Sequence, residues 1–370
     1  MGKGNQIRVL ILAPGLHSEG GIRSVISRIL PEIESRKNIE VIWLGTHRTG
    51  SPISKIVYSL GALIKSIYFF PRTDIVHVHG SIGPSLIRKS AFIWLSRLFR
   101  CQVIFHFHAT MIAFSEFFDS RGITASYCRA TLRQCKKIVV LSDSWRPVVE
   151  AALPDNEITV IYNPVMDVAK SQIRATVDVP RILYLAHLVE RKGYQDLINA
   201  FAAVSKQVEN ARLIFCGSGD EGRAREMCEQ LGILNRVEFR GWISDTEKID
   251  ELARTTIFCL PSYDEGLPMG VLEAMSFGLP IVTTPVGGIP DVLKHEENAL
   301  LFNPGDIDAM AEALRRLLLN PDLRQSLADK ALKDSIEFRP SRIGEQWVRL
   351  YTAAADQDDS KKQMPAGTAN

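Results

Sequence analysis

The stretch Asp264-Glu265-Gly266-Leu267-Pro268-Met269-Gly270-Val271-Leu272-Glu273-Ala274-Met275-Ser276-Phe277-Gly278 decides how the rest of the chain is read. Pro268 suits a first helical turn and Gly278 the residue past a helix end, so a helix of about ten residues is expected just after Gly266 and Leu267. The apolar run Ile257-Phe258-Cys259-Leu260 precedes it and Pro280-Ile281-Val282-Thr283-Thr284 follows, which predicts a strand, a crossover helix and a second strand. Free amides at such a helix start lie beyond the strand ends, where anionic or hydroxyl-rich ligands bind. Glu265 before the helix and Glu273 in its second turn could accept hydrogen bonds from two hydroxyl-bearing portions of one ligand. The pattern is equally that of a capped helix whose glutamates sit in water.

The same alternation extends outward in both directions. Upstream, Arg8–Ala13, Asp74–His79, Gln102–His108 and Lys137–Ser142 read as buried strands, each followed by a helix-compatible stretch. The pattern pauses through a polar segment near 163–180 and resumes with Arg181–Ala186, Arg212–Cys216 and Val237–Arg240. Two doubly wound α/β domains follow, with parallel sheets and a ligand site expected in the cleft they face. The expected boundaries are 1–165 and 166–340. A C-terminal helix over 341–355 is expected to return to the first domain, and 356–370 is expected to be a disordered polar tail.

The 370 residues, 46% hydrophobic and 23% charged, suffice for two cores. The net charge of +2 divides unevenly. Residues 1–165 carry 20 Lys plus Arg against 11 Asp plus Glu, a net of +9, and residues 166–370 carry 24 against 31, a net of −7. A basic first half is suited to an anionic surface such as phospholipid or a phosphorylated acceptor, or is an ordinary solvated face. Nucleic acid is not expected, because no run of five basic residues occurs. No apolar run approaches the roughly 18 residues of a membrane span, and the start MGKGNQ lacks a signal-peptide stretch and a myristoylation pattern, so a cytoplasmic protein is expected. Cys101, Cys128, Cys135, Cys216, Cys228 and Cys259 show no zinc spacing and read as reduced core thiols.

Gly217-Ser218-Gly219-Asp220-Glu221-Gly222, with Glu238 lying 21 residues past Gly217, approximates a dinucleotide fingerprint and gives the alternative of a nicotinamide-dependent oxidoreductase. Asp220 and Glu221 would put carboxylates where a pyrophosphate must sit, and the motif follows a second strand. A tight strand-to-helix turn accounts for it better. Asp306-Ile307-Asp308 after Pro304-Gly305 reads as a helix N-cap in place of a metal-binding pair.

The Glu265-to-Glu273 block, with Gly278-Leu-Pro-Ile-Val-Thr-Thr-Pro-Val-Gly-Gly288-Ile-Pro-Asp-Val, resembles the retaining nucleotide-sugar glycosyltransferases of family 4, which have the GT-B fold of two Rossmann-like domains. The resemblance covers about residues 7–355. It implies that Glu265 contacts hydroxyls of the donor sugar, that Glu273 binds the ribose, and that Gly266, Leu267, Pro268 and Met269 lie near sugar and phosphate. Arg191 and Lys192 are implied as the diphosphate clamp, with His187 standing where the family often has Arg, five positions before the Lys. Gly217 and Ile243 complete the implied donor-binding set, and Gly20 and Gly21 resemble the glycine-rich loop that meets phosphate and acceptor. His108, at a strand's carboxyl end, is the implied catalytic histidine; His79 is a further candidate, while His106 reads as a satisfied core histidine. The resemblance also implies same-face transfer without a protein nucleophile, a cofactor or a metal.

For the acceptor side, Ile53, Ile56, Val57, Leu60, Ile64 and Ile67 fall at helical spacing with Lys55 and Lys65 among them. Such a helix ordinarily packs into a core. With Met111–Phe118 and the basic half it could instead touch a membrane or a lipid-linked acceptor. The expectation is a peripheral enzyme of cell-surface polysaccharide assembly at the inner face of the plasma membrane, acting on a nucleotide-sugar donor and a saccharide or lipid-linked acceptor.

Overall fold

The computed structural model describes residues 6–15, 18, 20–47, 51–120, 122–168 and 179–363. They form two units, Met1–Pro164 with Pro340–Asn370, and Val165–Arg339. Unit 1 carries β1 (Ile7–Pro14), α1 (Gly21–Glu34), β2 (Ile39–His47), α2 (Pro52–Phe69), β3 (Ile75–Gly80) and α3 (Pro84–Leu98). It continues with β4 (Gln102–Phe107), α4 (Met111–Asp119), α5 (Ile123–Leu132), β5 (Lys137–Val140), α6 (Arg146–Ala152) and β6 (Glu157–Val160). Unit 2 begins with β7 (Arg181–Leu185), α7 (Tyr194–Val204), β8 (Arg212–Cys216), α8 (Glu221–Gln230), β9 (Val237–Phe239) and α9 (Asp245–Ala253). Then come β10 (Ile257–Leu260), α10 (Met269–Ser276), β11 (Ile281–Thr283), α11 (Ile289–Val292), β12 (Leu300–Leu301), α12 (Ile307–Leu319) and α13 (Pro321–Ser335). The last helix, α14 (Pro340–Gln363), belongs to unit 1.

Both sheets have six strands and are parallel throughout, in the orders β2-β1-β3-β4-β5-β6 and β12-β11-β10-β7-β8-β9. Each order reverses direction beside its first strand, between β1 and β3 in unit 1 and between β7 and β10 in unit 2. A parallel sheet must be covered on both faces. In unit 1 one face packs Ala62, Leu86, Phe114, Cys128 and Val149 from α2 to α6, and the other packs Ile26, Ile29, Trp347 and Tyr351 from α1 and α14. All six cysteines are buried and free.

Two expectations need correction, the extent of the C-terminal helix and the lack of a long apolar stretch, and the two readings left open for α2 are decided. The C-terminal helix starts at Pro340 and runs to Gln363, so most of what reads as tail is helical. Ala353-Ala354-Ala355 propagates the helix and no breaker follows until Pro365. Residues 364–370, and 169–178 of the polar segment between the domains, lie outside the described residues. The apolar stripe of α2 does not pack into the core: Ile53, Ile56, Val57, Leu60, Ile64 and Ile67 are all exposed. Despite its lysines, which break the uninterrupted apolar run, Ile53–Arg72 is long and apolar enough to cross a membrane by length and composition.

Trp347 is wholly buried against the sheet, with ring centroids 4.4 Å from His77 and 5.0 Å from His106. Trp347→Ala is expected to destabilise unit 1 by about 3–5 kcal/mol through the cavity it leaves. Chemical denaturation of the intact chain would reveal this as loss of the unit 1 transition while that of unit 2 stays in place.

Candidate active site

In unit 2 the loops after β7 and β10 meet at the switch in strand order, where an open α/β sheet leaves room for a ligand. The turn Glu190–Lys192 after β7 is tied to the loop after β10 by Tyr263 N donating to Arg191 O at 2.8 Å and by Arg191 Nη1 donating to Asp264 O at 2.5 Å. Lys192 Nζ then reaches Glu265 Oε1 at 2.5 Å, and Ser262 Oγ donates to the same oxygen at 2.7 Å. Glu265 is only 4% exposed, so this arrangement is a buried carboxylate beside a half-buried ammonium. Gly287, at φ +59, holds the loop from behind: a Cβ there would collide with the carbonyl oxygen of Glu265, and Gly288 N donates to Gly266 O at 2.6 Å.

The helix expected from the sequence is α10, with Pro268 at its N-cap position and Gly278, at φ +61, past its end. Leu267 is buried and Met269 opens the helix. Glu273, 1% exposed, pairs with Lys248 Nζ of α9 at 3.0 Å. Both glutamates are therefore buried and ion-paired, contrary to the alternative of a helix with its acids in water. Gly217 N donates to Gly241 O at 2.7 Å, which joins the loops after β8 and β9. Ile243 is half-buried just before Ser244, the cap of α9. His187 Nδ1 lies 3.0 Å from Ser218 Oγ, and its ring stacks at 5.9 Å on Trp242. Lys248, Ser262 and Trp242 are neighbours that the sequence reading missed; the first lies 25 positions from its partner on an ordinary polar helix.

The glycine fingerprint is a structural turn. Gly217, at φ +153, lies so close to the carbonyl of Ala186 that no side chain fits. Asp220 caps α8 by accepting from Arg223 N at 3.1 Å, Glu221 pairs with Arg225 at 2.7 Å, and Glu238 pairs with Arg181 at 3.4 Å. The acids that would have to hold a ribose and clear a pyrophosphate are already engaged, so the oxidoreductase alternative is set aside. Asp306 caps α12 by accepting from Ala309 N at 2.9 Å, as its sequence predicts.

In unit 1, Gly20 has φ +124 and open space around it, and Gly21 begins α1; Leu16, His17 and Glu19 of the same loop lie outside the described residues. His108 follows β4, its backbone N donating to Gly80 O at 2.7 Å and its Nε2 lying 2.9 Å from His79 Nδ1. His77 Nδ1 lies 2.7 Å from the Tyr351 hydroxyl. His106 corrects the expectation of a satisfied core histidine: it is buried, yet neither ring nitrogen has a partner among the described residues. His77, His79 and His106 bring one ring nitrogen each within 4.8 Å of one another, the group among the described residues that could hold a metal ion.

A family model described as Glycosyltransferase Family 4 matches residues 4–167, and one described as Glycosyl transferases group 1 matches residues 166–334. The chain belongs to the family 4 glycosyltransferases. Its two parallel sheets with flanking helices are the GT-B fold. HepE from Anabaena, solved in complex with UDP-glucose, superposes with a TM-score of 0.75 at 17% identity, covering 94% of this chain and 100% of that one. An uncharacterized glycosyltransferase of Haemophilus influenzae is 32% identical over 215 residues, 58% of this chain and 60% of that protein. The lipopolysaccharide core biosynthesis glycosyltransferase LpsE of Rhizobium meliloti is 29% identical over 204 residues, 53% of this chain and 58% of that protein. The chain spans less than two thirds of the length of both relatives.

The histidines give this family member a pH signature. Burial lowers the pKa of His77, His79 and His106 well below 6.5 and that of His108 to about 3; burial, then Lys89, Arg88 and Lys55, lowers His47 to about 4. Below pH 6.5 the unfolded chain takes up protons that the native rings refuse, so stability is complete above that pH and declines as pH falls toward the native values. Each buried ring contributes about 1.4 kcal/mol per pH unit in that window. Denaturation midpoints between pH 7 and pH 5 should fall for the intact protein and fall less for His106→Leu; equal slopes for the two would contradict this account.

Proposed function

We propose that this glycosyltransferase moves a hexose-type sugar from a UDP- or GDP-sugar to a saccharide or lipid-linked acceptor, with retention of anomeric configuration. The observation that carries the reading is the Lys192–Glu265 pair, set beside Arg191 and the start of α10 where the strand order of unit 2 reverses. In this reading Lys192 and Arg191 face the diphosphate, the backbone N–H groups of Gly266, Leu267 and Met269 lie along sugar and phosphate with Pro268 between them, and Glu265 accepts from the sugar hydroxyls. Glu273, steadied by Lys248, accepts from the ribose, and Gly217 and Ile243 border the nucleotide. His187 takes the place of a guanidinium, and its ring on Trp242 offers a flat surface in place of a fixed charge. Within unit 1, Gly20, Gly21 and His108 are the residues proposed to meet substrate.

Transfer breaks the bond between the anomeric carbon and the phosphate oxygen, whose electron pair leaves with the nucleotide. The acceptor oxygen bonds the same face, and its proton passes to the departing phosphate oxygen. The enzyme's part is positioning and charge stabilisation, with Arg191 and Lys192 supplying the positive charge that a metal supplies elsewhere. The HepE complex with UDP-glucose supports a nucleotide-sugar donor, and the name of the Rhizobium relative supports a cell-surface saccharide product.

Thermal unfolding with UDP, GDP, ADP and NAD, each at about millimolar concentration, should show a midpoint rise of about 5–10 °C for UDP or GDP, the rise expected when a ligand stands at about 100 times its dissociation constant. A rise with NAD alone would overturn the reading. Glu273→Ala and Arg191→Ala should each lower kcat/KM for sugar transfer by about 10- to 100-fold, as loss of one charged hydrogen bond does. Unaltered transfer in both would contradict the site.

A further inference from the structure

Helix α2 is apolar on both sides. On its sheet side Ala62 and Ser66 are buried, Leu63 and Phe69 pack against the core, and Ser59 donates its hydroxyl to Thr46 O of β2 at 2.6 Å. On its outer side, large apolar residues recur at helical spacing, from Ile53 at 75% exposure to Ile64 at 70%. Soluble surfaces scatter such residues singly; a continuous stripe marks a surface that something covers.

The neighbouring helices also expose large apolar residues. Helix α3 packs against both α2 and α5, and the layer these helices form turns Leu98, 79% exposed, Ile123, 90% exposed, and Trp94 outward. Charge says what the layer faces. Residues 51–100 hold seven Lys and Arg and a single acid, Asp74. Lys65, Arg72, Arg97 and Arg100 are exposed among the apolar groups. A second copy presenting the same face would bring like charges together, whereas an anionic bilayer offers headgroups to the cations and acyl chains to the stripe.

We propose that the outer face of α2, α3 and α5 lies on an anionic phospholipid membrane, with α2 in the interface plane. The helix does not span: its Ser59–Ala62–Ser66 edge is fastened to the sheet, and Lys55 and Lys65 interrupt its apolar length. The proposal deepens the glycosyltransferase reading by naming the surface on which a lipid-linked acceptor is met. Its test needs no transfer activity, so each can fail without the other.

The intact chain is floated with phosphatidylglycerol–phosphatidylethanolamine vesicles and with phosphatidylcholine vesicles. Binding should be at least tenfold stronger to the anionic vesicles and weaken as salt is raised. The triple variant Ile56→Ser, Leu60→Ser, Ile64→Ser, which alters only exposed side chains, should lower binding at least tenfold with an unchanged thermal midpoint. Lys65→Glu with Arg97→Glu should abolish the preference for anionic lipid. Without any variant, brominated lipid should quench the fluorescence of Trp94, the exposed tryptophan of this layer. Absence of flotation, or equal flotation of the triple variant, overturns the proposal. So does resistance of bound protein to alkaline carbonate, which marks a spanning helix, or a vesicle-free dimer that the triple variant loses, which marks a second copy as the true cover.

Discussion

Burying a carboxylate is tolerable only beside a cation with well-placed hydrogen bonds, and unit 2 meets that requirement twice. Glu265 and Glu273 are nearly inaccessible, and a lysine holds each. Neither lysine comes from the loop or helix of its partner: Lys192 follows β7 and Lys248 belongs to α9. The two pairs therefore fix the relation between three separate connections, and with it the position of the α10 N-terminus. Rigid loops at the switch in strand order follow from electrostatics as much as from sheet geometry, and a site built this way is organised before a ligand arrives.

Much of this was legible in the chain. The buried strands are short apolar runs separated by helical stretches, and parallel sheets covered on both faces write themselves in that form. Strand β2 escaped because it lies at the sheet edge, pairs only with β1 and has half-buried residues through its middle. Strand β12, two residues long, carries no pattern of its own. The Glu265-to-Glu273 block was legible because a proline and a glycine bracket it, whereas Lys248 was not, since a salt bridge between distant elements leaves no local trace. Periodicity also failed to orient α2. An apolar stripe reveals that a helix has two faces, but not which one meets the sheet, and here Ala62, Leu63 and Ser66 meet it while the longer stripe faces out.

The glycine-rich turn after β8 shows how a motif and its surroundings separate. Gly217 and Gly219 do hold backbone conformations that side chains resist. The chemistry of a dinucleotide site requires in addition a free helix N-terminus and a free acid. In this chain Asp220 occupies the first and Arg181 the second. The glycines serve the packing of one loop against another, and their spacing alone carries no ligand.

Helix α14 completes a core begun more than three hundred residues earlier: Trp347 and Tyr351 close the face of the sheet to which β1 and β3 belong. A ribosome delivers the chain in order, so the whole of unit 2 emerges while unit 1 still lacks that closing layer. The first unit to be synthesised is thus the last to be finished. During that interval one face of its sheet, His77 and His106 included, is open to water or to a chaperone, and the integrity of unit 1 depends on residues translated only after the whole of unit 2.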